Sequence, residues 1–142
     1  MSKVLIIDDH NGIRDLLLTV LQAQGHEVCL AADGVAGLQR FLTDRPDVVV
    51  ADLKMPEMDG LEVVRTLRRE HPEVPVIAMS GGFGEHTDLY LDVAVEFGAV
   101  AALRKPFRLA TFKQAVAEAI AHTGPVTSSR EPFASVPGQT AG

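Results

Sequence analysis

Short apolar runs that stop at a polar residue alternate along this chain with stretches in which apolar residues return every three or four positions. The first run, Val4-Leu5-Ile6-Ile7, is continuous and is closed by Asp8-Asp9. It predicts a strand buried on both faces, as in a parallel sheet. Ile13, Leu16, Leu17, Val20 and Leu21 then follow an i, i+3, i+4, i+7, i+8 pattern and predict an amphipathic helix that Gly25 stops. Residues 26–32 read as a second strand, and Asp33-Gly34 opens a helix through Leu42 with Val35, Leu38, Phe41 and Leu42 on one face. The run Val48-Val49-Val50-Ala51 predicts a third strand ending at Asp52. A turn at 55–60 leads into a helix whose apolar residues are Leu61, Val63, Val64 and Leu67, closed by Pro72. Residues 74–79 predict a fourth strand that ends at Ser80, and Gly81-Gly82-Phe83-Gly84 reads as a flexible loop. A helix over 89–97, capped by Gly98, a fifth strand over 99–103, a turn at 104–107 and a last helix over 109–121 complete the series.

Five strand-helix units in a row imply an α/β fold: a mainly parallel sheet with helices on both faces, joined by right-handed crossovers. After Gly124 the composition shifts to Pro, Ser, Thr, Gly and Ala, with only Val126, Phe133 and Val136 apolar. Such a segment buries too little surface to order itself. The expected organisation is therefore one domain over 1–123 and a disordered tail over 124–142. The 142 residues, 46% hydrophobic and carrying a formal net charge of −6, suffice for one core. Without a clustered basic patch, a nucleic-acid surface is not expected. Cys29 is the only cysteine and lies in the apolar run Val28-Cys29-Leu30, so it reads as a small core residue and excludes an intrachain disulfide. Neither a signal-peptide core nor a membrane span is visible in the apolar runs, and a cytoplasmic location is expected.

The candidate chemistry lies at the strand ends. In an open parallel sheet the functional crevice lies beyond the carboxyl ends of the strands, and there the chain places Asp8-Asp9, Asp52, Ser80 and Lys105. Asp52, taken by itself, also suits a turn before Met55-Pro56. If the first and third strands are neighbours, three carboxylates converge, and a cation must lie between them for all to stay ionised. An all-oxygen donor set suits Mg²⁺, which shares its shell with phosphate oxygens. One carboxylate can then act as nucleophile on a phosphoryl donor, Lys105 and the metal can neutralise the equatorial oxygens, and Ser80 can hydrogen-bond a phosphoryl oxygen.

Over residues 3 to about 122 the chain resembles the receiver domain of bacterial two-component response regulators. The resemblance rests on Val4-Leu5-Ile6-Ile7-Asp8-Asp9, on the stretch from Asp52 through Lys54-Met55-Pro56 to Asp59-Gly60, on Ser80, on Gly98-Ala99 and on Leu103-Arg104-Lys105-Pro106-Phe107. It implies a flavodoxin-like (βα)5 sandwich of three layers with strand order 2-1-3-4-5. It also implies that Asp52 accepts a phosphoryl group from a histidine kinase or phosphotransfer protein, and that Mg²⁺ is held by Asp9 directly, Asp8 through water, Asp52 and the backbone carbonyl of Lys54. Lys105 would pair with the carboxylate or phosphoryl group. Ser80 would swing toward the phosphoryl oxygens, reshaping the last strand and helix face toward a downstream protein target or a phosphorylation-dependent dimer. The implied role is a phosphoacceptor switch with intrinsic phosphotransfer and autodephosphorylation only.

Two departures bear on the output. The aromatic residue usual three positions before the lysine is Ala102 here, and the interval from Ser80 to Lys105 is a few residues longer than usual; Phe83 or Tyr90 is the candidate replacement ring. The side chain of Lys54 is expected to tune the lifetime of the phosphoryl group. His10 reads as a solvated loop residue, His26, His71, His86 and His122 as surface or linker residues, and Arg65, Arg68 and Arg69 as a solvated helix face. Two other readings compete: an interaction module that docks independently of phosphorylation, which Ala102 favours, and a Mg²⁺-dependent phosphohydrolase. The latter usually needs a second carboxylate two residues after the nucleophile, where Lys54 stands.

Overall fold

The computed structural model describes residues 2–55, 58–81 and 84–121. In chain order the elements are β1 (Lys3–Ile7), α1 (Asn11–Ala23), β2 (Glu27–Ala31), α2 (Gly34–Asp44), β3 (Val48–Asp52), α3 (Gly60–Glu70), β4 (Val76–Ser80), a short 3-10 turn (Gly84–His86), α4 (Thr87–Glu96), β5 (Ala101–Arg104) and α5 (Leu109–Ala121). The five strands form one parallel sheet in the order β2-β1-β3-β4-β5. The expected flavodoxin-like α/β sandwich is thus present.

Continuous apolar strands make this architecture, because successive side chains of one strand point to opposite faces. Leu5, Ile7, Val49 and Ala51 face Phe41 of α2, Val63, Val64 and Leu67 of α3, and Leu91 and Ala94 of α4. Their neighbours Val4, Ile6, Val48 and Val50 face Leu17 and Leu21 of α1 and Phe112, Ala115, Val116 and Ala119 of α5. Both halves are fully buried along β1 and β3, which leaves a carboxylate at the end of either strand no apolar partner. Asp33 caps α2, its Oδ1 accepting the Ala36 N–H at 2.8 Å. Asp33→Ala is expected to lower stability by about 1 kcal/mol, read from the urea midpoint.

Several boundaries depart from the sequence pattern for local reasons. The fourth strand begins at Val76 rather than 74, because the Val74 N–H closes a turn on His71 O (3.0 Å). The fifth begins at Ala101 because the Ala99 N–H is taken by Ala94 O at the end of α4 (2.9 Å). Gly84, expected in a loop, opens the 3-10 turn that leads straight into α4, and the buried Thr87 hydroxyl donates to Gly84 O (2.9 Å).

The expected solvated arginine face holds for Arg65 and Arg69, which are exposed, whereas Arg68 is half-buried. The aliphatic stem of Arg68 packs where a side chain at Gly98 would stand, its Nη1 donates to Pro72 O (3.3 Å), and Arg65 lies over the Phe97 ring at 5.7 Å. His71 lies in the connection between α3 and β4, as expected of a linker residue, and its half-buried ring packs on Phe41 with centroids 4.6 Å apart. Cys29 is buried as expected, and burial, helped by a hydrogen bond with Asp44, pushes its thiol up to about 11, so it stays neutral. Among the described residues no helix is long and apolar enough to cross a membrane. The expected tail over 124–142, the loop residues Gly82 and Phe83, the turn residues Pro56 and Glu57, and His122 lie outside the described residues.

Candidate functional site

Parallel register brings the strand ends to one edge of the sheet: Ile7 is level with Ala51, Asp52 with Met79, and Ser80 with Arg104. Asp8 therefore follows β1 beside the last residue of β3, which is Asp52, while Lys105 follows β5 and its N–H donates to Ser80 O at 2.8 Å. All the strand-end residues named from the sequence meet at this edge. One oxygen from each of Asp8, Asp9 and Asp52 lies within 4.8 Å of the others.

The three carboxylates are not equivalent. Asp8 is fully buried; its Oδ1 accepts the His10 N–H at 2.9 Å and its Oδ2 accepts Lys105 Nζ at 2.8 Å. Both of its oxygens are thus engaged. Asp9 is exposed. Asp52 is 6% exposed, and Lys105 Nζ stands 3.5 Å from its Oδ1, too long for a hydrogen bond but within ion-pair range. Loss of solvent pushes the Asp52 pKa up to about 6; Lys105 opposes the rise, the negative charge of Asp8 adds to it, a hydrogen bond with the Lys54 backbone opposes it, and Asp9 adds a smaller push. A carboxylate held this way is stabilised by a proton or a cation. The donor set of three converging carboxylates is the hard-oxygen chemistry that Mg²⁺ selects, so the residues fit that ion.

Ser80 is fully buried and its Oγ has no hydrogen-bond partner among the described residues. A buried hydroxyl left unpaired costs about 1–3 kcal/mol, which the strand end bears unless an acceptor arrives. Lys54 is exposed beside Asp52. Ala102 is half-buried and level with Ala78, so no aromatic ring stands at that position. Tyr90 is partly buried against the core cluster of α3 and α4, and Phe83 lies outside the described residues.

A cavity of about 580 Å³ opens beside Asp52, lined on its polar side by Asp9, His10, Lys54 and Lys105 and on its apolar side by Ile13, Leu16, Leu17, Phe107 and Leu109. Sequence reasoning missed this apolar wall. Helical periodicity put Leu16 on the apolar face of the first helix, yet it remains 45% exposed; the signal available was an apolar stripe on that helix wider than one sheet face needs.

Comparison with known proteins gives the following. The family model for the response regulator receiver domain matches residues 4–117. Sporulation initiation phosphotransferase F of Bacillus subtilis is 36% identical over 115 residues, covering 81% of this chain and 90% of that protein. The alkaline phosphatase synthesis transcriptional regulatory protein SphR of Synechococcus elongatus is 37% identical over 115 residues, covering 75% of this chain but 44% of that protein, so the chain spans less than half the length of this relative. Among solved structures, a response regulator receiver domain protein from Clostridium thermocellum superposes with a TM-score of 0.78 at 31% identity, covering 85% of this chain and 95% of that one.

Proposed function

The chain belongs to the response regulator receiver domain family, and from that premise we propose that Asp52 is its phosphoacceptor and that the strand-end residues form the phosphotransfer site. The observation that carries the reading is the buried Asp52 carboxylate, its pKa raised to about 6, with Lys105 Nζ 3.5 Å away and two further carboxylates beside it. In the proposed step an Asp52 oxygen attacks the phosphorus of a phosphohistidine on a histidine kinase or phosphotransfer protein. The P–N bond breaks as the P–O bond forms, and the departing imidazole takes up a proton. Asp9, exposed, would hold Mg²⁺ directly, Asp8, with both oxygens engaged, would act through water, and Asp52 and the Lys54 carbonyl would complete the protein donors. When bound, the ion would supply charge neutralisation to the phosphoryl oxygens. Lys105 holds an acceptor or phosphoryl oxygen, and the unpaired Ser80 hydroxyl donates to another.

The likeness to sporulation initiation phosphotransferase F supports passage of the phosphoryl group onward to a protein. Output to a downstream protein target, or to a phosphorylation-dependent dimer, is assigned to the α4, β5 and α5 side, where Leu89 is 59% exposed and Arg104 pairs with Asp88 at 2.5 Å. No direct nucleic-acid or membrane contact is proposed, the location is cytoplasmic, and turnover is limited to phosphotransfer and self-dephosphorylation. The competing interaction module, favoured by Ala102, leaves three mutually repelling carboxylates without a purpose, and is the weaker reading.

Intact mass after incubation with Mg²⁺ and acetyl phosphate tests this. One base-labile phosphoryl adduct that requires Mg²⁺ and is absent from Asp52→Ala is expected. No adduct on a protein shown to bind Mg²⁺, with candidate kinases also supplied, would move the assignment to the constitutive module. For Lys54, screening of the attacking water predicts that Lys54→Ala shortens the adduct's half-life on the order of fivefold, about 1 kcal/mol of barrier, measured by the decay of the phosphorylated mass.

A further inference from the structure

Resting on the reading of Asp8, Asp9 and Asp52 as metal-holding carboxylates, we propose that Arg14 is a positioning residue for that site: its guanidinium fixes the peptide between Asp8 and Asp9 and so sets the direction from which both carboxylates approach the ion. The need arises from backbone accounting. Asp8 lies one residue past β1; its N–H still reaches Ala31 O of β2 at 3.1 Å, but on that β2 side the pairing of β1 ends at Ile7 and Ala31. The Asp8 carbonyl has therefore outrun the ladder, in a residue that is fully buried. A buried carbonyl needs a donor.

Arg14 supplies it from the first turn of α1. Its Nη1 donates to Asp8 O at 2.5 Å, a charge-assisted bond, while Nη2 donates to Asn11 Oδ1. The Arg14 N–H donates to His10 O at 3.0 Å, and the His10 N–H donates to Asp8 Oδ1. One side chain thus joins the exit of the strand to the entry of the helix. Because the peptide group is planar, holding the Asp8 carbonyl also fixes the N–H and Cα of Asp9. This matters most for Asp9, whose exposed carboxylate makes no hydrogen bond among the described residues.

Charge and geometry make opposite forecasts here. As a bare positive charge near a cation site, Arg14 would weaken metal binding, and its removal would tighten it. As a fork that orients the ligands, its removal weakens binding, and lysine, which keeps the charge without the planar fork, replaces it poorly. Mg²⁺ titrated calorimetrically into the full chain separates the two, with Arg14→Ala, Arg14→Lys and Asp52→Ala compared to the parent. Expected are roughly tenfold weaker binding in Arg14→Ala, a smaller loss in Arg14→Lys, and slow labelling by acetyl phosphate at limiting Mg²⁺ that recovers at saturating Mg²⁺. Unchanged or tighter Mg²⁺ binding in Arg14→Ala, or labelling that saturating Mg²⁺ fails to restore, would overturn the positioning role. Where far-UV circular dichroism finds Arg14→Ala unfolded, Arg14→Lys decides by the same criteria. A parent protein that binds no Mg²⁺ overturns the site reading itself, and the role of Arg14 with it.

Discussion

Replacing Gly60 by alanine is expected to lower the unfolding free energy by about 3 kcal/mol and to slow phosphorylation of the protein that still folds. Gly60 is the first residue of α3, following the cap Asp59, whose Oδ1 accepts the Glu62 N–H at 3.0 Å; the Gly60 N–H donates to Leu53 O, also at 3.0 Å. These bonds press the start of the helix onto the end of β3. A Cβ at Gly60 would collide with Asp52 O and stand 2.6 Å from Leu53 Cα and 2.8 Å from the Asp52 carbonyl carbon. Every one of those atoms is backbone, so no rotamer change relieves the clash, and the strand end that carries Asp52 must move. Gly12→Ala is the control. Its nearest neighbour is His10 Nδ1 at 3.9 Å, so the added methyl finds space and the helix gains about 0.5–1 kcal/mol from the better propensity. In urea titrations the two variants should shift the midpoint in opposite directions; a Gly60→Ala midpoint equal to the parent's would refute the close-packing argument.

The same turn marks the limit of what the sequence reveals. Continuous apolar runs located all five strands, and the polar residues that end them located Asp8, Asp9, Asp52, Ser80 and Lys105, because a buried strand tolerates a carboxylate only where it emerges. Strand order came from the resemblance; periodicity by itself leaves it open. What stayed hidden depends on contacts between elements distant in sequence. Helical spacing does not say that Leu16 would border a cavity beside Asp52, that the stem of Arg68 would fill the space over Gly98, or that His71 would lie on Phe41. Nor does any motif single out Arg14, whose proposed role arises only because the carbonyl of Asp8 outruns the ladder with β2. Boundary errors had the same origin: the N–H groups of Val74 and Ala99, in apolar stretches suited to strands, were claimed by the turns before them.

In metal-free buffer, Asp52→Asn is expected to make the protein more stable at neutral pH, although it removes the proposed phosphoacceptor. The sign follows from linkage. The folded-state pKa of Asp52 is raised to about 6 from an ordinary 3.8, so between these values the native state binds more protons than the unfolded chain, and stability falls as pH rises through that window. Below pH 4 the group is protonated in both states and contributes no penalty. Above pH 7 the full penalty applies, about 3 kcal/mol at 1.36 kcal/mol per tenfold difference in proton affinity. The amide removes this charge while Lys105 keeps its 2.8 Å bond to Asp8, so the penalty is relieved without stranding the ammonium. With EDTA present, the stability advantage of Asp52→Asn should grow from near zero at pH 4 to about 2–3 kcal/mol at pH 7.5, measured by urea unfolding across that range. Mg²⁺ should then shrink the advantage, since an ion that binds only the native parent stabilises it by RT ln(1 + [L]/Kd). An advantage that is flat with pH, or that Mg²⁺ leaves untouched, would mean that Asp52 is not the strained carboxylate of the cluster. If the pattern holds, the same desolvation and repulsion that destabilise the metal-free fold are what favour a divalent cation beside Asp52, whose charge would offset that of a phosphoryl group placed there.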